Sequence, residues 1–83
     1  MLTRMKKRAT VEQVFGEVLR ELRTRSGKTQ EAVALDAGLD RTYISMLERG
    51  LRQPTLETLL ALSHALGISA SEIVAMVEAQ VHH

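Results

Sequence analysis

The chain has 83 residues, the size of one domain, and its lack of cysteine excludes a disulfide framework, a thiolate metal site and a Cys nucleophile. The net charge is only +1, but all eleven Lys and Arg residues lie in residues 1–52, whereas residues 53–83 carry three of the ten acidic residues and no Lys or Arg. This asymmetry indicates either that one end of the protein faces a polyanion or that solvated charge is distributed by chance.

The two ends of the chain differ in composition from its middle. Residues 1–10 are rich in Lys and Arg and are predicted to form a flexible basic arm. The first 25 residues contain no apolar run long enough for a signal peptide or a membrane span, so we expect a cytoplasmic protein with no membrane contact. His82 and His83 resemble the remnant of a purification tag and are left out of the functional interpretation.

Apolar spacing, capping residues and glycines predict five helices and no strand. Apolar residues recur at helical spacing from Val11 to Ser26, and Gly27 then suits a left-handed cap that ends the first helix. The second helix begins after Thr29, which can serve as its N-cap, and ends at Gly38. Both boundaries follow from residue types that favour helix ends.

The third and fourth helices follow the same rules. Asp40 is a good N-cap for the third helix, which is predicted to run to Gly50. Pro54 prevents the helix from continuing, because it lacks an amide hydrogen and clashes with the preceding turn. Thr55 can cap the fourth helix, and Gly67 ends it.

The fifth helix has the most complete start signal. Ser69 and Glu72 have the spacing of a capping box, and Ile68 and Ile73 can form a hydrophobic staple around it. The helix is predicted to run to about Gln80. The chain is therefore expected to fold as an all-α domain over residues 11–81.

The second and third helices have the spacing of a helix-turn-helix, for which an ordinary αα-hairpin is the alternative. Counting from Gln30, the fifth residue is Ala34, small enough for two closely crossing helices, and the ninth is Gly38, which tolerates the positive φ of a sharp turn. An apolar seam follows in the same register, at Val33, Ala37, Leu39, Ile44 and Leu47. We therefore predict a helix-turn-helix over residues 30–49.

Four segments occur in an order that resembles the Cro/repressor-type (Xre-like) helix-turn-helix DNA-binding family: "LRELRTRSGKTQ", "GLDRTYISMLERG", "QPTLETLLALSHALG" and "SEI". The resemblance extends from about Phe15 to Ile73, and the pattern "YISMLERG…QP" is similar in particular to restriction–modification controller proteins. It implies a compact five-helix, lambda-repressor-like domain whose third helix enters the major groove of double-stranded DNA.

The third helix is predicted to carry the base-reading side chains. Ile44 and Leu47 face the core, so the opposite and flanking faces are free, and helix-turn-helix proteins present the start of this helix to base edges. An Arg fork matches guanine O6 and N7, and a Thr can hydrogen-bond a base or touch a thymine methyl. The predicted base contacts are Arg41, Thr42, Ser45 and Met46. For each side chain, a solvated helix surface is the alternative.

Other side chains around this helix are predicted to contact phosphates. These residues are Lys28, Gln30, Tyr43, Arg49 and Arg52. Gln30 stands at the N-terminus of the second helix, where free N–H groups and the helix dipole favour a phosphate, and the resemblance places this Gln against the DNA backbone. Tyr43 lies on the flank of the third helix, where its ring can pack while its hydroxyl reaches a phosphate. A partly buried structural tyrosine is the alternative.

Two further sites concern assembly. The resemblance implies a substantially buried ion pair between Arg23 and Glu48, tying the third helix to the first. A homodimer interface is predicted on the fifth helix and the preceding turn, at Gly67, Val74, Val77 and Val81, because this apolar stripe exceeds what a small core can cover. Simple core packing by these side chains is the alternative.

The sequence favours a DNA-binding protein over an enzyme. His64 is the only histidine outside the C-terminal pair, and no glycine-rich phosphate loop or nucleophile–base pair is present, so no catalytic residue, metal or cofactor is predicted. The predicted function is a sequence-specific transcriptional regulator that binds a two-fold operator as a homodimer, on the nucleoid when bound. An antitoxin that binds a toxin protein and its own promoter is the alternative. RNA polymerase is a further candidate partner.

Overall fold

The computed structural model describes residues 9–81, and this part of the chain forms five α-helices without a strand. The helices are α1 (Val11–Arg25), α2 (Gln30–Ala37), α3 (Arg41–Glu48), α4 (Leu56–Leu66) and α5 (Ala70–Val81). The predicted all-α, five-helix fold is confirmed, and the helix-turn-helix consists of α2 and α3. Residues 1–8 of the predicted basic arm, and His82 and His83, lie outside the described residues.

Side-chain caps begin the helices. The predicted caps Thr29, Asp40, Thr55 and Ser69 each accept a hydrogen bond from a backbone amide in the first turn. A further capping box, which the sequence reading missed, begins α1. Thr10 Oγ1 accepts from the Gln13 amide at 3.1 Å, and Gln13 Oε1 accepts from the Thr10 amide at 3.0 Å. The Thr-x-x-Gln spacing is the sequence signal for this box.

The end of α3 differs from the prediction: the helix stops at Glu48, two residues before Gly50. Gly50 takes a φ of +74°, and its amide donates to the Leu47 carbonyl at 3.1 Å. A residue in this left-handed conformation ends a helix because the helical ladder needs negative φ, and glycine adopts it without a steric penalty. The third helix is therefore an eight-residue element closed by a glycine turn.

The core of the described residues is entirely apolar and draws on all five helices. Its buried side chains are Val14, Phe15, Val18, Leu19, Leu22, Val33, Ala34, Ile44, Leu47, Leu62, Ala65 and Ile73. α1 packs against α3 and α5, while α2 packs against α3 and α4. α3 is thus held between α1 and α2, and this packing decides which of its faces reaches solvent.

Gly16 allows α1 to touch the backbone at the end of α3. A Cβ atom placed on Gly16 would lie 2.5 Å from the Leu47 carbonyl oxygen and 2.6 Å from that of Glu48. Real Cβ atoms do not come this close to backbone oxygens, so the two helices would have to separate. The absence of a side chain at Gly16 therefore sets the distance between α1 and α3.

We expect Gly16→Ala to lower the free energy of unfolding by about 1–3 kcal/mol, the usual range for overpacking a tightly packed site. Helix propensity alone would favour Ala by about 1 kcal/mol, so the sign of the change tests the close approach. Urea denaturation measures it, with Glu17→Ala on the exposed side of the same helix as the control. A Gly16→Ala protein as stable as the wild type would mean that the helices separate freely here.

Two other observations concern residues 9–81. No single helix in this range is long and apolar enough to cross a membrane; α4 and α5 reach the required length and hydropathy only when taken as a pair, bent by 107°. Within the same range, no three His, Asp or Glu side chains come together in an arrangement that could hold a metal ion.

Candidate nucleic-acid interface

The turn between α2 and α3 has the geometry that the sequence predicts. Gly38 has a φ of +71°, and its amide donates to the Leu35 carbonyl at 3.2 Å. The next amide, that of Leu39, donates to the Ala34 carbonyl at 2.8 Å. These bonds satisfy carbonyl groups at the end of α2 while the left-handed glycine redirects the chain. Ala34 itself is buried where α2 meets the core.

One face of α3 is buried and the other is turned to solvent. Ile44 and Leu47 have no exposed surface. The predicted base-contacting residues lie on the other side of the helix: Arg41 and Thr42 are exposed, and Ser45 and Met46 are half-buried. Because residues three and four apart are neighbours on a helix, these side chains form one continuous strip. Arg41 and Thr42, in the first turn, are its most accessible members.

An ion pair between Arg23 of α1 and Glu48 of α3 is present. Arg23 Nε donates to Glu48 Oε2 at 2.5 Å, and Arg23 Nη2 donates to Glu48 Oε1 at 3.1 Å. The side chains are 14% and 3% exposed, so the pair is largely shielded from water. The hydrogen bond to Glu48 raises the pKa of Arg23 above its ordinary value, while burial opposes the shift. The two-point contact fixes the end of α3 relative to α1.

Gln30, at the start of α2, connects this ion pair to the strip on α3. Its amide nitrogen donates to Glu48 Oε1 at 3.0 Å. Its carbonyl oxygen lies 3.5 Å from Nη1 of Arg41, which is long for a hydrogen bond. The structure therefore brings together a residue predicted to contact phosphate, one predicted to contact bases and the structural ion pair.

Lys28 has partners within the fold. Its ammonium donates to the Asp36 carboxylate at 3.0 Å and to the Ala65 carbonyl at 2.7 Å. Asp36 is near the end of α2 and Ala65 near the end of α4, so the amine links these two helices. These bonds use two of the three N–H groups of the ammonium, so a phosphate contact by Lys28, as predicted from its place before α2, would not have to replace them. Lys28 therefore links α2 to α4, and its predicted phosphate contact stays a prediction.

Tyr43 and Arg52 lie against each other. Tyr43 is half-buried, with its ring packed on the core. The guanidinium carbon of Arg52 is 5.6 Å from the centre of that ring, within the range of a cation–π contact. Arg49 and Arg52 are both exposed. The ring of Tyr43 is thus packed as expected for a partly buried structural tyrosine. It also contacts the positively charged side chain of Arg52 beside α3.

The predicted dimer surface is partly exposed and partly packed. Val74 is 46% exposed, whereas Val77 and Val81 are half-buried and contact the core. These three valines and Val11 of α1 line an open groove beside α5. Gly67 is exposed in the turn between α4 and α5, with a φ of +70°. Core packing therefore accounts for part of the stripe but leaves an apolar surface uncovered.

Two leucines of α4 are also exposed, which the sequence did not reveal. Leu56 is 72% exposed and Leu60 is 54% exposed. They are four residues apart on α4, so they share a face, and Gly67 follows the end of this helix. The signal was present in the sequence as surplus leucines, but α4 contains too many apolar residues for spacing alone to separate its exposed face from its buried one.

Comparison with known proteins agrees with this geometry. Residues 19–73 match the helix-turn-helix family model. Over 61 residues, the chain is 44% identical to an uncharacterized HTH-type transcriptional regulator, y4dJ, of Sinorhizobium fredii, covering 74% of this chain and 79% of that protein.

Solved structures of controller proteins are also similar. The restriction-modification controller protein C.AhdI from Aeromonas hydrophila superposes with a TM-score of 0.73 at 45% identity, covering 75% of this chain and 94% of that one. The controller protein C.Esp1396I has been solved as a tetramer in complex with its natural 35 base-pair operator. It superposes with a TM-score of 0.80 at 29% identity, covering 90% of this chain and 99% of that one. The chain therefore belongs to the helix-turn-helix family of DNA-binding transcriptional regulators.

Proposed function

We propose that this protein is a non-catalytic, sequence-specific transcriptional regulator that binds a two-fold operator as a homodimer, in the manner of a restriction–modification controller. The observation that carries the proposal is the strip on α3, with Arg41 and Thr42 exposed in its first turn and a largely shielded ion pair holding its far end. The family implies an intracellular location on DNA. We place the protein in the cytoplasm, on the nucleoid when bound.

Base reading is assigned to the first turn of α3. Arg41 offers a guanidinium that can donate two parallel hydrogen bonds to guanine O6 and N7, and Thr42 can hydrogen-bond a base or contact a thymine methyl. Ser45 and Met46 are half-buried and are assigned secondary contacts one turn further along. In this arrangement sequence preference depends mainly on the two most accessible side chains.

Backbone contacts are assigned to Lys28, Gln30, Tyr43, Arg49 and Arg52. Gln30 stands at the N-terminus of α2, where unpaired amides and the helix dipole attract a phosphate. Arg52 and Tyr43 form one unit, since the guanidinium lies over the ring. Such contacts fix orientation without reading sequence.

Dimer formation is assigned to the apolar surface on α4 and α5. We propose that it includes Leu56 and Leu60 in addition to Gly67, Val74, Val77 and Val81, because both leucines are exposed on α4, which the turn at Gly67 joins to α5. A two-fold site requires a second α3 about 34 Å away, one turn of DNA, and the proposed dimer would supply it. No observation on the described residues favours an antitoxin role or an RNA polymerase contact, and we propose neither.

Selection of binding sites from random DNA tests the proposed function, and variants then separate base reading from backbone contact. We expect Arg41→Ala to weaken binding to the selected site by about 1–3 kcal/mol and to relax preference at one base position. Arg49→Ala should weaken binding to all DNA sequences alike. It should also make the slope of log K against log salt concentration shallower by about one unit per protomer. If both variants lost the same affinity on every DNA sequence, Arg41 would not be a base-contacting residue.

A further inference from the structure

An apolar groove runs between the start of α1 and the second half of α5. It is lined by Val11 of α1 and by Val74, Val77 and Val81 of α5, together with the exposed side chain of Glu78. Val11 and Val74 are each 46% exposed, so nothing within residues 9–81 covers the groove. Residues 53–83 contain no Lys or Arg, and the charge beside the groove on α5 is therefore negative. This surface suits a segment that is apolar on one side and positively charged on the other.

The segment that precedes α1 has this composition. Residues 1–8 read MLTRMKKR and include four basic residues and no acidic one. Leu2 and Met5 are large apolar side chains within the same segment. The chain thus carries, directly before Val11, a segment with the polarity and charge that the groove requires. The basic start and the acidic end of the chain would meet at this place.

The segment is long enough to lie over the whole groove. A helix rises by about 1.5 Å per residue, so Val74 and Val81 are roughly 10 Å apart along α5. An extended chain spans about 3.3 Å per residue, so Met5, six residues before Val11, can lie up to about 20 Å from it. Thr10 is extended and not helical, so the chain changes direction where α1 begins. A segment tethered this close has an effective concentration on the order of millimolar, and weak contacts are enough to hold it.

We propose that residues 1–8 fold back over this groove in the free protein, with Leu2 and Met5 against the valines and the basic side chains beside Glu78. The valines belong to the proposed dimer surface, so the segment and a second copy compete for them, a consequence that rests on the proposed function. DNA phosphates attract the same basic side chains. Operator binding therefore draws the segment away and uncovers the surface, so that dimer formation is favoured on DNA and restrained in the free protein.

The first experiment detects the covered groove without DNA and in dilute, monomeric protein. Because the chain has no cysteine, Thr3→Cys gives the full chain a single site for a spin label. We expect the label to broaden the methyl signals of Val77 and Val81 and to leave those of Val33, on α2, sharp.

A label on an unattached segment would also broaden nearby signals, so the comparison with a second protein is decisive. Leu2→Gln combined with Met5→Gln, in the labelled chain, should restore the valine signals, because it removes the apolar contacts and keeps the charge. Glu78→Gln should restore them in part. Equal broadening with and without the glutamines overturns the proposal. So does broadening that arises only between molecules, in a mixture of spin-labelled and isotope-labelled protein.

The second experiment measures the competition by sedimentation without DNA. Both copies must be uncovered to form a dimer, so covering half of the protomers raises the apparent dissociation constant about fourfold. We therefore expect the protein with Leu2→Gln and Met5→Gln to dimerise about fourfold more tightly than the wild type. Leu2→Ile combined with Met5→Leu is the matched control and should behave like the wild type.

Unchanged or weaker dimer formation in the glutamine variant overturns the competition. If neither the wild type nor this variant forms a dimer, the proposed dimer is contradicted instead. The spin-label comparison then still decides whether the segment covers the groove.

Discussion

Glu48→Gln is expected to lower the free energy of unfolding by about 3–5 kcal/mol, because removing one partner of a buried ion pair leaves the other charge uncompensated. The Arg23 side chain is only 14% exposed and makes two hydrogen bonds to Glu48, so water cannot readily take over the role of the carboxylate. A domain of this size has little stability in reserve, and a loss of this magnitude is a large part of the usual total of about 5–15 kcal/mol.

Chemical denaturation and the thermal midpoint measure this effect, and the chain offers a matched control. Glu21 and Arg25 form an ion pair at 2.7 Å on α1, but both side chains are more than half exposed. Glu21→Gln should therefore change stability by no more than about 0.5 kcal/mol, as for surface pairs four residues apart. Similar small changes in the two variants would show that the Arg23–Glu48 pair does not stabilise the fold.

Val74→Glu is expected to produce a folded monomer that binds the operator about 10²–10⁴-fold more weakly. Val74 is 46% exposed, so a charge there should not disrupt the core, but it would be buried without a partner in the proposed dimer. A dimer binds its second half-site as an intramolecular event, and this advantage accounts for the expected range. Affinity for a single half-site should remain unchanged.

Sedimentation and operator titration measure the two effects together. Ala79→Glu is the control: Ala79 is exposed on α5 but lies well around the helix from Val74. It should leave both the dimer and the operator affinity intact. A wild-type protein that remains monomeric at tens of micromolar, corresponding to an association weaker than about −6 to −7 kcal/mol, would contradict the interface itself.

Local signals made most of the fold predictable from sequence. Thr29, Asp40 and Thr55 each act within a few residues of themselves, and the glycines at positions 38 and 67 take the left-handed conformation for which their residue type is suited. The end of α3 was misplaced by two residues because the glycine at position 50 marks the turn after the helix and not the last helical residue. Its positive φ depends on the turn that follows.

Interactions between distant parts of the chain could not be predicted in the same way. The bond from Lys28 to the Ala65 carbonyl joins residues 37 apart, and nothing near Lys28 indicates it. Gly16 occupies an ordinary helical position, and only the approach of α3 reveals why a side chain is excluded there. The Arg23–Glu48 pair was expected from family resemblance, whereas the bond from Gln30 to Glu48 became visible only in three dimensions.

The close approach at Gly16 also limits which DNA sites the proposed dimer can accept. α1 touches the backbone of α3 on one side and packs against α5 on the other, so it connects the reading helix rigidly to the proposed dimer surface. The two reading helices of a dimer would then be held at a fixed separation and a fixed relative rotation. One additional base pair between half-sites shifts them by about 3.4 Å along the DNA and also turns them around its axis. Binding by such a dimer should therefore depend as strictly on the number of base pairs between the half-sites as on the bases within them.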